Sequence, residues 1–207
     1  MSRRAKPKYD YLFKIIIVGA GKVGKTSLTI RFAENRFRES YLPTLGVDFL
    51  TKTVTISDKT SKLQLWDTGG QEFVKALLPF YFTGAAGGAL VFDLTNRNSF
   101  NSLGYWLKQI RKNSGDIPVV LAGNKVDLAT QRKVTTEEGQ LFASKNNLLY
   151  LETSAKTGVS VPDLFKSLVQ IIVEEQEKKE EEESKEKSQE SEATDPEMEE
   201  QTFFKRI

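Results

Sequence analysis

The sequence predicts an α/β fold: a mostly parallel six-stranded sheet with one antiparallel strand, covered by helices on both faces. Three observations predict it. Short apolar runs of strand length recur between residues 11 and 173, and helical patterns stand between them. One pair of alternating segments is joined by a short polar link, as in a hairpin. Parallel neighbours need crossover connections, and helices placed between strands provide them.

Each element follows in order. LFKIIIV at 12–18 reads as a buried strand that ends at glycines and leads into a helix from Lys25 to Ala33. Residues 36–46 show no period, and Pro43 discourages helix, so a loop is expected. VDFLTKTVTI at 47–56 and KLQLW at 62–66 alternate apolar and polar residues, with Ser57-Asp58-Lys59-Thr60 as the link. ALVF at 89–92, PVVLA at 118–122 and LLYL at 148–151 are the remaining strands. Helices are expected at Ser99–Lys112 on Phe100, Leu103, Leu107 and Ile110, at Thr136–Lys145 on Leu141 and Phe142, and at Val161–Val173 on Leu164, Phe165, Leu168, Ile171 and Ile172.

Three segments result: a basic arm at 1–10, a domain at 11–173 and an acidic tail at 174–207. Residues 174–200 hold 14 Asp and Glu against 4 Lys, a net charge of −10, which leaves the body basic. The first half of the tail is rich in helix formers and would prolong the last helix; the second half has a disordered composition. A basic body suits an acidic partner, an anionic membrane or a polyanionic ligand such as a nucleotide, although scattered solvated charge is the simpler account.

Absences narrow the chemistry. The chain has no cysteine, which excludes disulfides, thiolate zinc sites, cysteine nucleophiles and lipids attached through cysteine. It has no histidine, which excludes Ser-His-Asp catalysis and imidazole ligands. No apolar run reaches the roughly 18 residues of a membrane span, and the N-terminus lacks a signal-peptide core. A cytoplasmic protein, at most peripheral at membranes, is expected.

The strongest motif is Gly19-Ala20-Gly21-Lys22-Val23-Gly24-Lys25-Thr26, which fits G-x-x-x-x-G-K-[ST] between a strand and a helix. Its glycines let backbone N–H groups of the loop, through Ser27, close around phosphate oxygens. Lys25 supplies a point charge to the β- and γ-phosphates, Thr26 offers a hydroxyl to Mg²⁺, and the helix start adds its positive end. A phosphate loop does not choose between ATP and GTP. Further segments lie at strand ends: Asn124-Lys125-Val126-Asp127, Glu152-Thr153-Ser154-Ala155-Lys156 and Asp67-Thr68-Gly69-Gly70-Gln71-Glu72.

With GAGKVGKTS, YLPTLGVDF, KLQLWDTGGQE, LVFDLTNRNSF, NKVD and ETSAK in this order, residues 11–173 resemble the small GTPases of the Ras superfamily, and most closely the Rab branch. The resemblance implies a P-loop NTPase G domain that binds GTP and GDP with Mg²⁺ and hydrolyses GTP slowly. It implies that Asp127 accepts two hydrogen bonds from the guanine edge, that Asn124 braces the loops, and that Lys125 lies along the base. Ser154, Ala155 and Lys156 complete the base site, with the Ala155 N–H on the guanine oxygen. Thr26 and Thr44 ligate Mg²⁺, and Asp67 holds it through water. Gly70 senses the γ-phosphate, and Gln71 orients the attacking water. Phe37 packs on the guanine, with a core aromatic as the alternative, and Tyr41 covers the phosphates. Catalysis rests on Gln71, Lys25 and Gly70. The implied partners are an effector, an exchange factor and a GTPase-activating protein, with no nucleic acid, and the chain is a monomer in membrane trafficking or signalling.

The chain departs from the family at Gly69, where Ala is usual, and at Lys22, where a small residue is usual. Lys22 acts on the nucleotide or faces solvent. Arg38 is a candidate arginine finger. Phe49, Trp66 and Tyr81 match the aromatic triad that Rab proteins show to effectors, or pack as ordinary core. The end Phe203-Phe204-Lys205-Arg206-Ile207 carries no prenylation cysteine, so no lipid anchor is expected there, only weak membrane or protein contact. A guanine-binding module without hydrolysis and an ATPase or small-molecule kinase remain as alternatives.

Overall fold

The computed structural model describes residues 8–39, 47–68 and 78–193. The first strand, β1 (Tyr11–Val18), is followed by α1 (Lys25–Glu34). A hairpin of β2 (Val47–Ile56) and β3 (Lys59–Thr68) comes next, then α2 (Leu78–Phe82) and β4 (Gly87–Asp93). Two helices, α3 (Arg97–Asn101) and α4 (Leu103–Ser114), precede β5 (Val119–Asn124). A 3₁₀ turn (Ala129–Gln131), α5 (Thr136–Lys145), β6 (Leu149–Thr153) and α6 (Val161–Ala193) complete the described chain. The six strands form one sheet in the order β2-β3-β1-β4-β5-β6. Only the β2–β3 pair is antiparallel. The expected α/β class with one antiparallel strand is therefore present.

The core explains the apolar runs. Ile15, Ile16, Ile17 and Val18 are all fully buried, because β1 is central and covered on both faces. Burying such a side chain contributes about 2 kcal/mol. Ile16 and Val18 join a cluster with Leu90, Phe92, Leu103, Ile110 and Leu121. Ile15 and Ile17 face the other way by the strand's period of two. There α1 and α6 are joined by Phe32 stacked on Phe165 at 4.3 Å.

Several local expectations are corrected. The hairpin link is two residues, not four: Ile56 pairs with Lys59, and Ser57 and Asp58 both have positive φ (48° and 65°). That backbone matches the right-handed strand twist, so pairing continues to the tip. The single helix expected at 99–112 is two. The first is capped by Asn96, whose side chain accepts the Asn98 N–H at 3.0 Å, and the helices break at Ser102. In α5, Leu141 is exposed and the helix buries Gly139 and Ala143 instead. A Cβ on Gly139 would come 2.4 Å from the Tyr150 ring, so the helix lies too close to β6 for a larger residue there.

The described residues divide into two compact units, with the boundary between Gln170 and Ile171 inside α6. In the first unit, α6 contributes Val161, Leu164, Phe165 and Leu168 to the core. In the second, residues 178–186 are all exposed. Helix there rests on local propensity and on pairs one turn apart, such as Gln176 donating to Glu180 at 3.0 Å. Among the described residues no helix is long and apolar enough to cross a membrane.

Candidate functional site

Five parallel strands end at one edge of the sheet, and the segments that follow β1, β3, β5 and β6 carry the motifs. The chain puts β3 on one side of β1 and β4 on the other. Loops beside such a reversal diverge and open a crevice for ligands.

On the phosphate side, the loop after β1 turns sharply into α1. Gly24, the N-cap of α1, has φ 96°, and a Cβ there would come 2.4 Å from Asn124 Nδ2. Glycine is thus required both by conformation and by space. Lys22 holds a positive φ of 65° without being glycine. Lys25 is 5% exposed, and its Nζ curls back to donate to Gly19 O at 3.0 Å and Ala20 O at 2.8 Å. Burial pushes its pKa down to about 8, against the opposing attraction of Asp67. The Thr26 hydroxyl donates to Asp67 Oδ2, and Asp67 is 2% exposed. A hydroxyl and a carboxylate brought together are hard oxygen donors of the kind that Mg²⁺ takes, so these residues fit that ion.

On the opposite side, side chains stitch three loops together. Asn124 donates Nδ2 to Val23 O at 2.9 Å. Its Oδ1 accepts from Thr153 Oγ1 at 3.3 Å and from the Ala155 N–H at 3.2 Å. Lys125 donates to Lys22 O at 3.0 Å and pairs with Asp93 Oδ2 at 2.6 Å. The Ser154 hydroxyl donates to Asp127 Oδ1 at 2.5 Å and accepts the Thr157 N–H at 3.0 Å. Asp127 is thereby held with one carboxylate face still open to the cleft.

Between the two sides lies a cleft of about 540 Å³. Lys22, Gly24 and Ser27 line it from the phosphate loop, with Asn124, Lys125, Asp127, Ala155 and Lys156 across from them. Phe37 lines it too, half-buried, in place of joining the core. Arg38 and Glu39 flank Phe37 at the rim. Gly21 is exposed, while Val23 is buried and contributes its carbonyl. Lys25 and Thr26 are not among the cleft's lining residues, because the lysine curls inward and the threonine turns to Asp67. Tyr41, Thr44, Gly69, Gly70 and Gln71 lie outside the described residues, as do Phe203 and Phe204.

The aromatic set splits between surface and core. Phe49 is 57% exposed, Trp66 half-buried and Tyr81 buried. The rings form a chain, Phe49 to Trp66 at 6.1 Å and Trp66 to Tyr81 at 6.1 Å edge-on. Lys14 Nζ sits 4.1 Å from the Trp66 ring centre. Burial, aided by Asp67, raises the Tyr81 hydroxyl to about 12.

Sequence reasoning missed Asp93 and Arg31. Asp93, at the end of β4, orients Lys125 and accepts from Thr95 N at 2.8 Å and Thr95 Oγ1 at 2.7 Å. A lone acid ending an apolar run was its signal, since Asp93 stands in register with Asn124. Arg31 had none, because its partners in the loop after β6 are 124 and 125 residues away.

Comparison with known proteins finds relatives over most of the chain. Residues 14–174 match the Ras family. The chain is 42% identical over 163 residues to GTP-binding protein ypt3 of Schizosaccharomyces pombe, covering 78% of this chain and 76% of that protein. It is 43% identical over 166 residues to Ras-related protein Rab-13 of Rattus norvegicus, covering 80% and 82%. It is 44% identical over 171 residues to Ras-related protein Rab-2B of Dictyostelium discoideum, covering 82% and 85%.

Proposed function

We infer the roles of individual residues from one premise: the chain belongs to the Ras family. The protein is a Rab-like small GTPase, a switch that binds GTP or GDP with Mg²⁺, hydrolyses GTP, and has regulators and effectors that respond to its nucleotide state.

The cleft is the guanine-nucleotide site. The observation that carries this reading is the convergence of the phosphate loop, NKVD and SAK segments on one space of about 540 Å³. Asp127 recognises the guanine edge, since a purine without that donor pair would leave a held carboxylate unpaired. Asn124 braces the loops, and the Lys125 stem lies along the base. Ser154 orients Asp127, and Lys156 flanks the base. The Ala155 N–H, which donates to Asn124 Oδ1 at 3.2 Å, also serves the guanine oxygen. Phe37 packs on the ring and Tyr41 over the phosphates. Amides of Gly21, Lys22, Val23, Gly24 and Ser27 cradle the phosphates.

For hydrolysis, Lys25 puts its charge on the β- and γ-oxygens. Gln71 orients the attacking water, and the Gly70 N–H meets the γ-phosphate. Thr26 and Thr44 would hold Mg²⁺, with Asp67 acting on it through water. Mg²⁺, when bound, offsets the negative charge that spreads over the phosphoryl oxygens. The protein works as a monomer in the cytoplasm, peripheral at membranes, in trafficking or signalling; its 207 residues contain no cysteine to carry a lipid.

Single-turnover hydrolysis of GTP, with ATP as control, tests the assignment in wild type and Gln71→Leu. Slow Mg²⁺-dependent GTP turnover that falls in the variant is expected. A preference for ATP would overturn the role of Asp127, and tight GTP binding without turnover would leave a module that binds but does not hydrolyse.

A further inference from the structure

Arg31 stands in the last turn of α1, away from every motif that marks the site. Its Nε donates to Ala155 O at 2.8 Å and its Nη2 to Lys156 O at 2.7 Å. Its Nη1 donates to Asn35 O at 3.0 Å. Asn35 is the C-cap of α1, with φ 54°, where the chain turns off toward Phe37 and Arg38. One planar fork therefore ties the loop after β6 to the point where the opposite wall of the cleft begins. A lysine could not span these acceptors, because its donors radiate from a single nitrogen. A further link among the described residues, Lys156 to Glu39 at 4.0 Å, joins two exposed side chains and adds little.

We propose that Arg31 is a positioning residue, a latch that holds the 154–156 loop against the end of α1 and sets how long guanine nucleotide stays bound. The inference rests on the reading of the cleft as a guanine site. It goes beyond it by giving the rate of release to a residue that touches no part of the nucleotide. The latch acts through the 154–156 loop's hold on the guanine oxygen: that loop must swing away from the end of α1 for the Ala155 N–H to let the base go. Arg31 resists that through charge-assisted hydrogen bonds to carbonyls on both walls.

Release of a fluorescent GDP analogue from full-length wild type, Arg31→Ala and Arg31→Lys tests the latch. Loss of the fork should speed release about tenfold in Arg31→Ala, and by less in Arg31→Lys. Competition separates a latch from general loosening. Arg31→Ala should weaken GDP and inosine diphosphate alike. It should barely change binding of the 2,6-diaminopurine diphosphate, in which an amino group replaces the exocyclic carbonyl oxygen that this loop meets. Wild-type release from Arg31→Ala, or an equal loss for all three nucleotides, would overturn the proposal. Should Arg31→Ala fail to fold, Arg31→Lys decides: faster release with the same nucleotide pattern supports the latch, and wild-type release overturns it. A wild type that does not prefer GDP to ADP would sink the guanine reading and the latch with it.

Discussion

The phosphate end and the base end of the cleft are built on different principles. The phosphate end is one contiguous loop whose strained backbone and buried Lys25 come from neighbours in sequence. The base end is assembled from the ends of β5 and β6, held by bonds that span 29 to 31 residues, and tied to the phosphate loop by others spanning 101 and 103. The first stores an unfavourable buried charge that a polyanion relieves. The second is a satisfied network that belongs to the fold as much as to the ligand. Affinity for phosphate can therefore be removed without harming the domain, whereas the base site cannot be dismantled so cleanly.

The largest test of that difference is Lys25→Ala. Removing the charged donor should weaken GTP and GDP binding roughly a hundredfold, while thermal unfolding of the nucleotide-free protein stays at or above the wild-type temperature. A large loss of stability would break the comparison at its phosphate end. Next comes Asn124→Ala, which removes bonds to Val23, Thr153 and Ala155 together. It should cost about 2 kcal/mol of stability in the nucleotide-free protein and weaken GDP binding about thirtyfold, as read by denaturant unfolding and calorimetry. Reduced affinity with unchanged stability would show that the network serves the ligand alone.

The smallest effect is on pH. Lys25 has its pKa lowered to about 8 by burial, and the charge of a bound polyphosphate favours its protonated form. Nucleotide binding should therefore take up a proton, and affinity should fall as pH rises through that value. Calorimetry should find GDP bound about fourfold more weakly at about pH 8.5 than at about pH 7, and Lys25→Arg should flatten the change. Affinity that holds steady in the wild type would mean that Lys25 is already charged in the free protein.

Much of this was legible from residues alone. LFKIIIV could only be a covered strand, and GAGKVGKT carried its chemistry in its spacing, because both depend on near neighbours. The Thr136–Lys145 helix was legible in its bounds, since Thr135 and Glu138 form a capping box. Its buried face was not, because the close approach of Gly139 to Tyr150 is set by β6. The break at Ser102 escaped notice for a related reason: helical spacing runs on through it, and only the cap at Asn96 and the packing of α4 divide it.

By itself, then, the sequence determined the fold class, the family and the identity of the phosphate loop, all of which are written in local patterns and in contiguous motifs. Only the tertiary structure decided that Asn124 joins Val23 to Ala155, that Asp93 holds Lys125, and that Arg31 closes the far side of the cleft. The physical reason is range. A strand or a phosphate loop is specified by residues within a few positions of one another, whereas a hydrogen bond between strand ends exists only after the sheet has ordered them.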